Sequence, residues 1–285
     1  LEVARMSRSE RFYIKAAEWA LERADYDQAL TAYRNAALLA PKDSVIRMAY
    51  VYALSMSGNG VEALTEMRAV LEADPDAPKG WYLLAWLLRD SNVPEDQVEA
   101  QSAIRKAVAT DGSAQTRNLA AAMAMRAGEY EEAANYYLKL LEESPSVAYY
   151  HYWFGMASLA NSECDGLPAL REASRLKRSW GEAHVVLARG EAICGSSESS
   201  GRRARALLKG KNDRDVRLTL ALADLSQNRK ESAQEMATAE LPHADAVMIL
   251  KSIRRNDLPA RPFSAGSNWY LPPELNLAES QPVAR

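Results

Sequence analysis

Ala29-x3-Tyr33-x2-Ala36-x4-Pro41 is the stretch that decides the fold, because the same spacing recurs along the first half of the chain. It returns as Ala63-x3-Met67-x2-Val70-x4-Pro75 and Ala133-x3-Tyr137-x2-Leu140-x4-Pro145, and Ala100-x3-Ile104-x2-Ala107-x4-Gly112 differs only in ending on glycine. Small and large apolar residues at this spacing share one helix face, and the proline or glycine ends the helix. Each copy therefore predicts a helix that packs a narrow apolar stripe against a close neighbour.

A second apolar stripe precedes the Ala100 copy and predicts a partner helix. It runs Trp81-x2-Leu84-Ala85-x2-Leu88, so the repeating unit is a helical hairpin. Ala29 and Ala63 lie 34 residues apart, as do Pro41 and Pro75. Two helices repeating at this period are typical of the tetratricopeptide repeat. The chain resembles that family, although no specific member is identified.

The pattern weakens toward the C-terminus but continues. The signature Trp153-Phe154-Gly155 resembles the first helix of the family, and Gly166, Leu170 and Ala173 take the small, large and small places of the second helix, with Pro168 among them. His184-x2-Leu187-Ala188 suggests a sixth unit, and Leu220-Ala221 followed by Ala233-x3-Ala237 suggests a seventh. The apolar stretch 244–253 predicts a capping helix.

The resemblance implies an all-α, right-handed α-solenoid of about seven helix-turn-helix hairpins. Residues 1–255 are expected to form this superhelix, including the C-terminal capping helix, and residues 256–285 an extended tail. Such repeats contact only their neighbours, so the architecture needs no conventional domain boundary. The repeats are selected for stacking, and they leave the chemistry of the protein open.

Composition argues against several classes of partner. Lys and Arg number 35 against 38 Asp and Glu, so the formal net charge of -3 creates no global field that would attract nucleic acid. No run of 18 apolar residues exists, which predicts no membrane span in this segment. The chain does not begin with Met, so the lack of an N-terminal signal sequence is uninformative.

The search for catalytic or metal-binding chemistry finds little. The three histidines, His151, His184 and His243, have no Cys, Asp or Glu at ligand spacing and are interpreted as ordinary polar or packing residues. Gly58-Asn59-Gly60 is interpreted as the turn within a hairpin, since no strand or Gly-Lys-Ser/Thr ending accompanies it. We therefore expect no enzyme activity, no cofactor and no metal.

One basic run, residues 201–211, leaves two interpretations open. Its arginines and lysines could bind nucleic acid or an acidic partner. Alternatively, Ala204 and Leu208 form the buried stripe of the sixth unit while the arginines face water. The lack of aromatic residues for base stacking within the run favours the second interpretation.

The resemblance also implies a binding surface, because in this family the first helix of each hairpin lines the concave wall. Positions between the packing residues would then form a groove rich in aromatic, Met and Arg side chains, which suit protein contacts. The positions are Met48, Tyr52, Tyr82, Trp86, Arg89, Asn118, Met125, Tyr152, Met156 and Arg189. In the alternative, a shifted register places Tyr82 or Trp86 in the core.

Two cysteines, Cys164 and Cys194, lie 30 residues apart, each near the end of the first helix of adjacent hairpins. The loops that follow give the backbone freedom to bring them within disulfide range. A disulfide there would favour an oxidising compartment such as a periplasm. Two free thiols in a reduced cytosol are the alternative.

The tail combines prolines with aromatic residues. Five prolines in residues 256–285 exclude a helix or a central strand through the segment. A disordered linker should be poor in aromatic residues. We therefore expect Phe263, Trp269, Tyr270 and Leu271 to anchor the tail on the repeat stack, whereas a short linear motif for another protein is the alternative.

These observations predict a non-enzymatic scaffold or adaptor that binds a protein or peptide partner in an aromatic and Met-lined groove. Family analogy and the cysteine pair favour bacterial cell-envelope assembly or secretion, a periplasmic or cell-envelope location, and a subunit of such a complex as partner. The alternative is a regulatory or co-chaperone module of a larger cytosolic protein. The near balance of basic and acidic residues predicts no nucleic-acid partner.

Overall fold

A computed structural model describes residues 8–77, 79–161, 163–194, 200–203, 206 and 214–255. The first helices are α1 (Arg8–Glu22), α2 (Tyr26–Leu39), α3 (Ser44–Met56), α4 (Gly60–Ala73), α5 (Gly80–Leu88), α6 (Pro94–Thr110) and α7 (Ala114–Ala127). They are followed by α8 (Tyr130–Glu143), α9 (Ala148–Ala160), α10 (Leu167–Leu176), α11 (Gly181–Ile193), α12 (Arg214–Ser226), α13 (Lys230–Glu240) and α14 (His243–Arg255). Residues 200–203 are also helical, and the described residues form no strand.

The described residues divide into two compact units, 8–120 and 121–255. In the first unit, α1 packs on α2, α3 on α4, and α5 on α6, while α2 and α4 each contact the hairpin that follows. In the second unit, α9 packs on α8 and α10, and α12 packs on α11 and α13. Both units are stacks of helical hairpins, which confirms the predicted all-α class of tetratricopeptide type.

The repeated stripe of the second helices is the core of each hairpin. Ala29, Ala63 and Ala133 are completely buried, as are the larger Met67 and Tyr137. Alanine at the first position lets the two helix backbones approach closely, and the larger residue one turn later fills the space between them. The predicted periodicity therefore corresponds to buried positions.

The turn inside a hairpin repeats the same backbone geometry. Ala24, Gly58, Gly128 and Asn228 all have positive φ, between 55° and 85°. The next residue donates its N–H back across the turn, from Asn59 to the Leu54 carbonyl at 2.8 Å. This left-handed residue stops the first helix and reverses the chain. Gly58-Asn59-Gly60 is therefore such a turn, as the sequence predicts.

The last described helix, α14, covers the seventh hairpin. It packs on α12 and α13, and its Ile249 side chain is fully buried. The Arg214 Nε donates to the buried Asp245 carboxylate at 2.7 Å, joining α12 to α14. This arrangement matches the predicted capping helix.

The tail prediction, with Phe263, Trp269, Tyr270 and Leu271 as anchors, lies outside the described residues. Among the helices that the structure describes, each is too short or too polar to cross a bilayer.

Candidate functional site

An aromatic and arginine cluster occupies the inner positions of α3 and α5 in the first unit. The rings of Tyr52 and Trp86 lie 5.9 Å apart between centroids. The Arg89 guanidinium lies 4.5 Å from the Trp86 ring centroid, and its Nη1 donates to the Trp86 carbonyl at 2.7 Å. Gln115 of α7 donates to the Tyr82 hydroxyl at 3.1 Å. Neighbouring first helices therefore bring together four of the predicted groove residues: Tyr52, Tyr82, Trp86 and Arg89.

Most of this cluster is buried, which differs from the accessible wall expected from the sequence. Trp86 is only 5% exposed, and Met48, Tyr52 and Tyr82 are also buried. The side chains of successive first helices fill the space between those helices, because α3 and α5 contact each other directly. Burial raises the pKa of Tyr82, and the hydrogen bond from Gln115 partly offsets this effect.

Two predicted groove residues of the first unit keep polar groups near the surface. The Arg89 side chain is 30% exposed and forms an ion pair with Asp90 at 3.0 Å. Asn118 is partly exposed, yet its Oδ1 atom is buried and has no hydrogen-bond partner among the described residues. A buried acceptor without a partner is unfavourable in a folded protein, and its burial keeps this oxygen out of reach of a group bound at the surface.

The remaining groove residues lie in the core of the second unit. Met125, Tyr152 and Met156 are buried in one apolar cluster, and Met156 is 0% exposed. Arg189 is 1% exposed, and its Nε donates to Thr219 Oγ1 at 3.4 Å. The expected wall is therefore not an accessible surface at these four positions, because adjacent helices cover them.

The two cysteines form a disulfide in the second unit. Cys164 follows α9, Cys194 ends α11, and their Cα atoms lie 5.8 Å apart. This separation is within the range that a disulfide requires. The bond joins the C-terminal ends of two neighbouring first helices, where the sequence places both residues.

A repeated polar contact accounts for two of the three histidines. His151 Nε2 lies 2.8 Å from the Pro145 carbonyl, and His184 Nε2 lies 3.0 Å from the Arg178 carbonyl. Trp81 makes the same contact, since its Nε1 donates to the Pro75 carbonyl at 2.9 Å. In each case a ring N–H near the start of a first helix donates to the carbonyl six residues earlier. Sequence reasoning missed this role, although the three residues share one phase of the repeat.

The described residues contain no group of His, Cys, Asp and Glu that could hold a metal ion. The fold and its buried inner faces define a helical-hairpin repeat protein of the general kind that acts as a protein-interaction scaffold.

Residues 20–87 match the tetratricopeptide repeat family model. No curated protein matches the sequence. The chain is similar to a tetratricopeptide repeat protein from Parabacteroides merdae, with 19% identity over 74% of this chain and 86% of that chain, at a TM-score of 0.62. The chain thus has the architecture of the tetratricopeptide repeat family, a family that is typically non-catalytic and binds proteins or peptides.

Two solved complexes contain similar chains. One is the Cut9–Hcn1 hetero-tetramer of the APC/C, with 15% identity over 83% of this chain and 48% of that chain, at a TM-score of 0.53. The other is Naa15/Naa10 bound to HypK-THB, with 19% identity over 86% of this chain and 39% of that chain, at a TM-score of 0.52. At these identities the similarity is one of fold.

Proposed function

We propose that this protein is a non-enzymatic scaffold or adaptor that holds a peptide, a helix or a partner subunit against the inner positions of its first helices. The observation that carries the proposal is the cluster of Tyr52, Trp86 and Arg89 on two neighbouring first helices. Aromatic and arginine side chains are enriched where protein interfaces obtain most of their binding energy. The two similar solved complexes support the same general role.

The burial of the cluster determines how a partner would use it. The buried Trp86 ring supports the Arg89 guanidinium, which lies over it. Arg89 is partly exposed, so it is the residue of the cluster that a partner can contact. The partly exposed side chain of Asn118 is the other polar group of the predicted groove in this unit. A partner would therefore gain affinity from a few directed contacts at the edge of an ordered surface.

Replacement of Trp86 does not test this role cleanly. Truncating a buried tryptophan to alanine costs about 3–5 kcal/mol of the free energy of unfolding through lost burial and the cavity that remains. We therefore expect Trp86→Ala to destabilise the first unit, whereas Trp19→Ala should not, because Trp19 is 63% exposed. Loss of binding by Trp86→Ala would then reflect unfolding as much as a lost contact.

Arg89 is the better position for a test. In the test variant, a photocrosslinking amino acid replaces Arg89 in the full chain, and the protein is expressed in its native cell. A matched control variant carries the same amino acid at Val61 of α4, which is 84% exposed. We expect one discrete crosslinked protein from position 89 and none from position 61. Asn118→Ala should reduce that crosslink while leaving the melting temperature unchanged. Equal crosslinking from both positions, or none from position 89, would contradict the proposal.

We also propose that the scaffold belongs to a bacterial cell-envelope assembly or secretion complex and works in an oxidising compartment. The Cys164–Cys194 pair supports this location, because stable disulfides are rare in the cytosol. Mass spectrometry of the non-reduced protein from its native compartment tests it. Two alkylatable thiols in that material would instead favour the alternative, a regulatory or co-chaperone module of a larger cytosolic protein.

A further inference from the structure

A strongly basic cleft lies in the second unit, whereas the groove residues that carry the proposed function belong to the first unit. Its volume is about 410 Å³, and it is lined by Arg171, Ser174, Arg175, Arg178, His184, Leu187 and Arg203. The first three belong to α10, Arg178 follows it, and Arg203 comes from the helical residues 200–203. The cleft therefore forms between two consecutive hairpins of one compact unit.

Two carboxylates balance only part of this charge. Glu172 accepts two hydrogen bonds from Arg175, at 2.7 and 2.6 Å. Glu191 is buried and lies 3.7 Å from the Arg171 Nε and 3.5 Å from the Arg203 Nε. Among the described residues, four guanidinium groups are thus accompanied by two carboxylates, which is a formal local charge of about +2. This excess contrasts with the net charge of -3 for the chain.

The buried carboxylate of Glu191 holds two of the arginines in place without using all of their donors. Both described contacts involve Nε, whereas each guanidinium carries five N–H donors. The terminal amino groups of Arg171 and Arg203 therefore remain to bind a ligand. Arg178 is exposed and has no ion pair among the described residues.

A second, independent observation points to a ligand. Ser174 lines the cleft and is only 5% exposed, yet its Oγ has no hydrogen-bond partner among the described residues. A buried hydroxyl without a partner is unfavourable in a folded protein, and a hydroxyl that faces a cleft can satisfy a bound group. Guanidinium groups bind phosphate through paired N–H donors, and a hydroxyl adds a further donor to the same oxygen atoms.

We propose that this cleft binds a phosphoryl group of charge -2, carried by a small phosphorylated solute or by a phosphorylated side chain. The excess charge of the cleft matches that of a phosphoryl dianion better than that of a single carboxylate. Arg171, Arg178 and Arg203 supply the charge and the paired donors, and Ser174 supplies the buried hydroxyl.

Calorimetric titration of the full chain tests the proposal, with inorganic phosphate, O-phosphoserine and acetate as probes at about pH 8, where phosphate is mostly a dianion. We expect saturable binding of phosphate at one site and much weaker binding of acetate. Ser174→Ala, which removes only an unpartnered hydroxyl, and Arg178→Ala should each weaken phosphate binding by about tenfold. Arg254→Ala, an exposed arginine on α14, is the matched control and should leave binding unchanged.

The relative affinities identify the source of the phosphoryl group. Tighter binding of O-phosphoserine supports a phosphorylated side chain, and equal or tighter binding of phosphate supports a small solute. The proposal is overturned if wild-type protein does not bind phosphate, if acetate binds as tightly, or if Ser174→Ala and Arg178→Ala bind like the wild type. Circular dichroism and melting temperature confirm that the variants are folded. The result does not depend on the partner-binding role of the first unit.

Discussion

Gly155 and Gly166 allow the backbones of the fifth hairpin to meet. A Cβ atom at Gly155 would lie 2.8 Å from Leu170 Cδ2 and 2.9 Å from the Gly166 carbonyl oxygen. A Cβ atom at Gly166 would lie 2.9 Å from the Gly155 Cα. Two of these neighbours are backbone atoms, which cannot move aside as a flexible side chain can. Glycine is therefore required here by close packing of the two helices and not by an unusual φ angle.

We predict that Gly155→Ala destabilises the protein by about 1–3 kcal/mol, the usual cost of overpacking a core. The measurement is chemical denaturation followed by circular dichroism. Gly181→Ala is the matched control, because a Cβ atom there would meet no atom within 4 Å. Equal stability of Gly155→Ala and Gly181→Ala would mean that α9 and α10 are further apart than the structure places them.

At the scale of elements, the Cys164–Cys194 disulfide joins the ends of α9 and α11, two first helices whose mutual contact is otherwise small. It closes a segment that contains all of α10. A cross-link over a segment of this length restricts the unfolded chain and raises the free energy of unfolding by about 2–4 kcal/mol. The bond therefore supports hairpins whose repeat pattern is the weakest in the sequence.

We predict that Cys164→Ser combined with Cys194→Ser lowers the melting temperature by several degrees, with little change in helical content at low temperature. The measurement is thermal denaturation with and without a reductant. Reductant should lower the melting temperature of the wild type and leave that of the double variant unchanged. A wild type indifferent to reductant would show that the thiols are not joined or that their bond is unimportant for stability.

At the scale of the whole molecule, buried tyrosines in both units link stability to alkaline pH. Burial raises the pKa of Tyr33 to about 12, with a smaller contribution from Glu18. Burial likewise raises the pKa of Tyr149 and of Tyr137, whose hydroxyl has no partner among the described residues. An unfolded tyrosine ionises near pH 10. These phenols therefore keep their protons in the folded protein after the unfolded chain has lost them.

We predict that stability is unaffected by these groups below about pH 10 and falls as the pH rises toward the folded pKa values, because the unfolded state then binds fewer protons. Tyr33 alone would account for about 2–3 kcal/mol of this loss. Denaturation midpoints at matched pH values measure it. Tyr33→Phe and Tyr137→Phe should each reduce the alkaline loss relative to the wild type, and identical alkaline profiles would contradict the prediction.

The residues that are buried inside each hairpin could be predicted from the sequence, because their positions follow from the local periodicity. The spacing from Ala133 to Tyr137 and Leu140 specifies one helix face, and these three residues are buried as that face requires. Gly58 and Gly128 similarly mark turns by their residue type. Ala24 and Asn228 occupy the same turn position but are not glycine. Only the period of the repeat, which fixes where each turn falls, could have indicated them.

The sequence alone determined the all-helical fold class, the hairpin repeat and the helix face of each candidate residue, because these depend on residue spacing within one hairpin. The tertiary structure decided which of those faces remain accessible. Trp86 and Met156 occupy equivalent faces that the sequence could not distinguish from solvent-facing ones, and neighbouring helices bury both. The cleft around Ser174 was equally beyond prediction, although Arg171, Arg175 and Arg178 follow helical spacing, because Arg203 joins them only when separate helices pack. Accessibility and charge clusters depend on contacts between elements, and local spacing does not encode those distances.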